Sequence, residues 1–492
     1  MIRLLAVLFC LTLTFAVMSE PVQQDDINSK IEKEPAGNSS TPLPAAMTAE
    51  EWEAVRKMPP VRAFRAGRKP TGTFTAPAEY EPADALFLSW KGWEDLLAQM
   101  AKFVAEDSKV YIAYDYNLSA IKSKLSSVGA NLSNIEFLNV PLDAVWMRDF
   151  GPWWILKNGG NREIIDTKYY RDRQNDDAFP IKFGQLKGIP VNESNLITEG
   201  GNIMLDGHGV AIISDVQLRK NSWGVTYTKE QVEQIYRDYF GVNRVIWLKR
   251  LKDGSAGGTG HIDIQMKLLN DNTIIVSQHS GPSAGYSGNY EILEENARIM
   301  ANETNGLGQK FNVVRIPMPD HPRSTYTYTN SLIINKKVLV PVFGIADDER
   351  ALEIYRNCLP GYDVQGFDSS DIINYGGAIH CTTITQYTDG MKLIYNPARA
   401  GKAGEPVTVR LEVESRNPLS QDGARLFWST ERNGAYQPLK LSLKNGAYQG
   451  QIPAQTAGTR IYYFFSAEDL TGSYLNLPAG APDTEVYNLI FN

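Results

Sequence analysis

The stretch GVAIISDVQLRKNSWGVTYTKEQVEQIYRDYFGVNRVIWLKR, residues 209–250, carries the architecture in miniature. GVAIISDV and RVIWLKR are short β-rich runs. Between them TKEQVEQIYRDYF repeats apolar residues at helical spacing (Val232, Ile235, Tyr236, Tyr239), so a strand, an amphipathic helix and a second strand follow one another. The same texture extends in both directions. DALFLSW, KVYIAYDY and NIEFLNV precede it; TIIVSQH, SLIINKKVLVPVFG and KLIYNP follow it; NYEILEENARIMANE and DDERALEIYRNC supply further helices. The units recur at roughly 60–80 residues without evident sequence identity, which suggests a structural repeat. After Asn396 the helices stop. PVTVRLEVES, ARLFWST, YQPLKLSL, AYQGQIP, TRIYYFFSAED and EVYNLIFN are closely spaced strands parted by Asn-Gly and Asp-Gly turn signals, the pattern of an immunoglobulin-type β-sandwich.

A chain of 492 residues exceeds one ordinary core, so at least two folded units are expected. The net charge of -7 argues against nucleic acid as the main partner, because phosphate binding needs a concentrated basic surface. No internal apolar run approaches the roughly 20 residues needed to span a bilayer. MIRLLAVLFCLTLTFAVMSE reads as a secretory signal: Arg3 begins it, an apolar run follows, and Val17 and Ser19 suit the signal-peptidase positions. A secreted or periplasmic location is therefore expected, with no membrane span once the leader is removed. The expected organisation is a signal peptide at 1–19, a polar linker and short helix at 20–60, an α/β unit at 61–398 and a β-sandwich at 399–492. Within the linker, TAEEWEAVRKMPP has Thr48 and Glu51 spaced as a capping box. Beyond the leader only Cys358 and Cys381 remain, too few for a disulfide framework, so the fold must be held by its cores. Cys358 falls in a helical pattern ended by Pro360-Gly361.

Cys381 poses the chemical question. INYGGAIHCTTITQY, residues 373–387, enters a buried strand through two glycines, and its cysteine is either a small core hydrophobe or a nucleophile. In GGTGHIDIQMKL, residues 257–268, His261 and Asp263 lie two apart and on a strand would face one side, as an acid–base pair or as a mutually satisfied buried pair. In VWMRDFGPWWI, residues 145–155, Asp149 among aromatics either meets Arg148 or awaits a cationic ligand. In YYRDRQNDD, residues 169–177, Arg171 and Arg173 read either as a carboxylate clamp on one strand face or as a solvated charge run. No spaced metal-ligand set accompanies them, and neither metal nor cofactor is expected. Two carboxylates, a histidine and a cysteine together match the hydrolysis of a guanidinium carbon. The carboxylates hold the planar cation, the thiolate attacks it, and the histidine protonates the departing ammonia and then activates water.

Six blocks in order carry a resemblance: PAEYEPADALFLSW (77–90), WMRDFGP (146–152), TEGGNIMLDGHG (198–209), GHIDI (260–264), TNSLIINKKVLVPVFGIADDERAL (329–352) and GGAIHCTTITQ (376–386). They resemble the bacterial, Porphyromonas-type peptidylarginine deiminases within the agmatine deiminase family of guanidino-group-modifying enzymes. The resemblance implies a five-bladed, pseudo-symmetric α/β propeller of ββαβ units, with catalytic residues meeting at its axis. It also implies roles: Cys381 as nucleophile through a covalent thiouronium, His261 as acid/base, and Asp149 and Asp263 as guanidinium ligands. Trp146 would flank the substrate, while Asn202 and Asn330 line or brace the site. The leader, the sandwich and the Arg-x-Arg pair are similar to the peptidylarginine type, in which two arginines hold the α-carboxylate of a C-terminal arginine. The implied activity is citrullination of arginine-containing peptides or proteins; the alternative is an exported agmatine or free-arginine deiminase. Gly258 departs from the family, standing where a tyrosine can help hold the carboxylate.

Overall fold

Val210–Ser214 pairs in parallel with Arg244–Leu248, and helix Lys229–Phe240 makes the crossover between them. The helix starts at a Thr228–Gln231 capping box and ends at Gly241, whose φ of 68° admits no ordinary side chain cheaply. Its apolar stripe sinks Val232, Tyr236, Tyr239 and Phe240 into the core, leaving a charged face outside. Completing the unit, Met204–Leu205 runs antiparallel to Val210–Ser214. The computed structural model describes residues 42–492 except 60–66, 158–160, 253–258, 284–287, 321–324, 389–390, 396, 399, 416–417, 471–473, 479–480 and 484–485. The leader at 1–19, the linker up to residue 41 and Gly258 lie outside the described residues.

The same plan of hairpin, helix and parallel strand recurs. Met266–Leu268, Thr273–Gln278 and Asn312–Pro317 form one sheet around helix Asn289–Asn302. Leu332–Ile334, Lys337–Val342 and Asp363–Asp368 form another around helix Asp347–Cys358. Trp153–Lys157, Arg162–Lys168 and Val191–Ile197 make a third, edged by Phe74–Thr75. In the remaining sheet of this kind, Thr383–Tyr387 from late in the chain pairs antiparallel with Ala83–Ser89, which continues in parallel to Lys109–Tyr114 and Ile135–Asn139. Early and late segments of the α/β region thus share one sheet. Sheets and helices close over a large core that includes Phe87, Trp154, Phe179 and Phe183, each such side chain contributing about 1.5–3 kcal/mol by burial.

Two sequence expectations change. SLIINKKVLVPVFG is a hairpin of two strands rather than one run. Asn335 makes the turn at φ 53°, and its side-chain amide exchanges hydrogen bonds with the backbone of Ala83. KLIYNP was expected among the α/β strands; Met391–Tyr395 pairs instead with Val407–Ser415. It belongs to the first of two further sheets, completed by Ala447–Ile452 and Ser442–Lys444. The second joins Leu419–Ser429, Arg460–Asp469 and Tyr487–Phe491 with shorter neighbours. Leu411 and Ile452 of one and Leu426, Tyr463 and Phe465 of the other share a single buried cluster. Among the described residues no helix is long and apolar enough to cross a membrane.

Candidate active site

In each α/β unit the segment just before the first strand bends inward and presents polar side chains. Trp146–Phe150 precedes Trp153–Lys157, Glu199–Asn202 precedes Met204–Leu205, and His261–Ile264 precedes Met266–Leu268. Likewise Thr327–Asn330 precedes Leu332–Ile334, and Ala378–Cys381 precedes Thr383–Tyr387. The five segments touch. Arg148 N–H donates to the Cys381 carbonyl at 3.1 Å and His380 N–H to the Asn330 carbonyl at 3.0 Å. Gly201 N–H donates to Asp149 Oδ1 at 2.9 Å, and Thr329 Oγ1 to the Asp263 carbonyl at 3.0 Å.

Cys381, His261, Asp149 and Asp263 are all brought together and buried. Cys381 Sγ lies 3.6 Å from Asp263 Oδ2 and accepts from Asn330 Nδ2 at 3.2 Å. Asn330 Oδ1 receives the N–H groups of Ala378 and Cys381, so it braces the turn that carries Cys381 as well as touching its sulfur. Neither cysteine is in a disulfide. Close approach requires glycine here: a Cβ on Gly377 would stand 2.6 Å from Cys381 Sγ and 2.9 Å from Trp146. Trp146 is fully buried beside the thiol.

His261 and Asp263 do not lie on a strand as the two-residue spacing suggested. His261 caps a 3₁₀ turn, Ile262–Ile264, which sends the two side chains to different partners. His261 Nε2 meets Glu199 Oε2 at 3.0 Å, while its Nδ1 lies 3.7 Å from Asp149 Oδ1. Asp263 Oδ2 meets His380 Nδ1 at 2.7 Å, and His380 Nε2 meets Glu79 Oε2 at 2.7 Å. Arg148 turns away from Asp149 and pairs with Glu79 at 3.0 Å, joined there by Lys267. The alternative of an Arg148–Asp149 bridge is thereby excluded. Asp149 Oδ2, Asp263 Oδ1 and His261 Nδ1 are left buried with no hydrogen-bond partner. Glu79, Glu199 and His380 were not singled out from the sequence, although each lies inside a block that was.

These contacts set the charges. Burial pushes Asp149 up to about 7 against the pull of His261, with Asp263 and Glu199 adding to the rise. Burial works against the charged form of His261, but Asp149 and Glu199 overcome it and raise it to about 9. Asp263 also resists burial, and the His380 hydrogen bond holds it below the usual carboxylate range. The Cys381 thiol is driven well above its ordinary value by burial and by Asp263 and Asp149. Among the described residues no three His, Cys, Asp or Glu side chains are gathered as a metal site.

The remaining expected residues stand further out. Asn202 exchanges hydrogen bonds with the backbone of Ser214 and braces its hairpin. Arg171 and Arg173 do not share a strand face: the strand ends at Lys168, and Asp177 Oδ1 captures Tyr169 N–H at 2.6 Å. Tyr170–Arg173 is a turn, closed by Arg173 N–H to the Tyr170 carbonyl at 3.2 Å. Arg171 donates to the Pro59 carbonyl and lies over Trp223. Arg173 is buried, 5.1 Å from the Tyr170 ring centroid, and paired with Glu51.

Residues 75–386 match the Porphyromonas-type peptidyl-arginine deiminase family. A curated protein of Vibrio parahaemolyticus that bears the agmatine deiminase name is 24% identical, spanning 63% of this chain and 96% of its own length. Among solved structures, the agmatine deiminase of Enterococcus faecalis aligns over 65% of this chain and 100% of its own, with a TM-score of 0.58 and 19% identity. The C. jejuni agmatine deiminase with substrate bound aligns over 64% of this chain and 97% of its own, with a TM-score of 0.57 and 20% identity. At these identities the two structures bear on the fold alone.

Proposed function

Because the chain belongs to the Porphyromonas-type peptidyl-arginine deiminase family, hydrolases acting on C–N bonds of amidines, we propose that it converts peptide arginine, preferably C-terminal, to citrulline and ammonia outside the cytoplasm. One observation carries the chemistry: Asp149 Oδ2 and Asp263 Oδ1 are buried acceptors without donors, beside a cysteine sulfur. Orphaned carboxylate oxygens are costly, and a guanidinium, with five N–H donors in one plane, satisfies both at once. In this reading the five α/β sheets are blades of a propeller whose axis is the site, and the two C-terminal sheets are an immunoglobulin-like sandwich.

Bound between the two aspartates, the cation favours their ionised forms and lowers the cost of the neighbouring thiolate. The thiol gives up its proton to solvent as the cation binds, and Sγ, now a thiolate, attacks the guanidinium carbon to give a tetrahedral adduct. His261, protonated when its value is near 9, passes its proton to one nitrogen; that C–N bond breaks, ammonia leaves, and a thiouronium remains on Sγ. Neutral His261 then takes a proton from water, whose oxygen adds to the same carbon. Cleavage of the C–S bond, with the hydroxyl proton lost to solvent, releases the neutral ureido group and the thiolate.

Support for peptide over amine substrates comes from the leader expected at residues 1–19 and from Arg173, which lies 6.0 and 5.1 Å from the ring centroids of Tyr169 and Tyr170, two side chains that also feel the charge of Asp149. A second reading, an exported agmatine or free-arginine deiminase, is favoured by a different fact: the Arg173 charge is already met by Glu51. Ammonia and citrulline release from a peptide ending in arginine, one with internal arginine, and agmatine separates them. Selective turnover of agmatine overturns the peptide reading.

A further inference from the structure

Residues 42–57 lie across the approaches to the site. Trp146 Nε1 donates to the Leu43 carbonyl at 2.9 Å, and Ala45 N–H to the Tyr375 carbonyl at 2.8 Å, just before the turn that carries Cys381. Arg173 Nη2 donates to the Pro44 carbonyl at 2.8 Å. Helix Ala49–Lys57 follows, and its Glu51 takes Arg173 in a two-pronged grip, Nε to Oε1 at 2.8 Å and Nη2 to Oε2 at 3.1 Å. That is the geometry a substrate α-carboxylate would adopt on the same guanidinium. Elsewhere the helix is lightly held, with Val55 its only buried residue. Beside it a cavity of about 580 Å³, lined by Met47, Trp52, Tyr170, Glu199 and Asn202, reaches the carboxylate that holds His261.

We propose that residues 42–57 are a displaceable strap, in which Glu51 occupies Arg173 in place of the substrate's terminal carboxylate and so restrains the enzyme toward peptides ending in arginine. The inference rests on the reading of Arg173 as a carboxylate ligand. Glu51 has a second task, since its Oε2 accepts from Thr48 N–H while its own N–H donates to Thr48 Oγ1. Substitution therefore has to spare the helix cap. Glu51→Gln keeps the amide-compatible cap and removes the charge.

In the full chain, Glu51→Gln should lower KM for a peptide ending in arginine about tenfold or more while kcat holds, the scale of one charge-assisted grip. KM for the amidated peptide and for agmatine should stay within about twofold, because neither presents a carboxylate to Arg173. Thr48→Ala, which loosens the same helix and keeps the carboxylate, should shift KM for the acid peptide the same way but less. An unchanged KM for the acid peptide in both variants, or equal shifts on all three substrates, overturns the strap. If agmatine is turned over and the acid peptide by neither parent nor variants, the substrate reading has failed and the strap with it. Turnover of the acid peptide at one common KM sinks the strap alone.

Discussion

Gly201→Ala tests whether the site has been located correctly. Gly201 lies in the 3₁₀ turn Gly200–Asn202, and its backbone is not in the left-handed region. Alanine therefore suits the chain conformation, and the Gly201 N–H that binds Asp149 is retained. The new methyl, however, would stand 2.5 Å from His261 Nδ1, 3.0 Å from Asp263 Oδ2 and 3.1 Å from Asp149 Oδ1. It enters the space between the three groups assigned to hold and protonate the guanidinium. Ordinary contact begins near 3.4 Å, so the imidazole must retreat by about 0.9 Å (3.4 − 2.5) or the methyl must displace the cation. A misplacement of that size costs on the order of 100-fold, about 2.7 kcal/mol, in a reaction that depends on attack geometry. The assay is steady-state ammonia release on the best guanidino substrate, with thermal melting alongside. The expected result is kcat/KM down about 100-fold with melting shifted by only a few degrees. A variant within about threefold of the parent at equal stability would refute the placement of the guanidinium between Asp149, Asp263 and His261.

Cys381→Ser should abolish turnover with the fold intact, because a hydroxyl in that setting lacks the acidity to attack, whereas Cys358→Ser should keep most activity; equal loss in both would overturn the assignment of the nucleophile to Cys381 alone. Asp149→Asn and Asp263→Asn should each lower kcat/KM at least tenfold, from the roughly 1.5–3 kcal/mol of a charge-assisted bond, and unchanged kinetics would make that residue a structural carboxylate. The pH profile of kcat/KM should rise through about 7 as Asp149 ionises and fall through about 9 as His261 loses its proton, with the acidic limb absent in Asp149→Asn. For stability, the raised His261 contributes fully below its ordinary 6.5 and loses that contribution as pH climbs through about 9, so melting temperature should decline across that interval.

That Cys381, His261, Asp149 and Asp263 were worth pairing as candidates was legible because each stands in a short polar or glycine-rich motif directly before a β-rich run. Their relative placement was not. Nothing local tells that Glu199 will meet His261 across 62 positions or that Glu79 will meet His380 across 301. Those partners exist only because the units converge, and they fix the ring orientations on which the chemistry depends. The shared strand face expected of Arg171 and Arg173 failed for a definite reason. A spacing of two implies one face only while the chain stays extended, and the Asp177 carboxylate on Tyr169 N–H ends the extension before Arg171 is reached. The Thr48–Glu51 box was correctly read as a helix cap, yet the same carboxylate reaches Arg173, 122 residues away. A local motif does not reveal a side chain's second partner.

On the proposed reading, the electrostatics around Cys381 give the substrate cation a part in activating the thiol. Asp149 and Asp263 act on Cys381, Glu199 stands behind His261, and the fixed cations Arg148 and Lys267 pair with Glu79 at the far side of His380. The side facing the thiol is left with unmatched carboxylate oxygens, and there the thiolate is strongly disfavoured. On that reading a bound guanidinium would change three quantities together: it would favour ionised Asp149, donate to the two orphaned acceptors, and offset the repulsion that raises the thiol. An alkylammonium of the same charge has no planar carbon to present and cannot bridge both carboxylates with in-plane N–H groups. On the same reading, discrimination against lysine would follow from the two orphaned oxygens proposed to seat the guanidinium, without a separate specificity device.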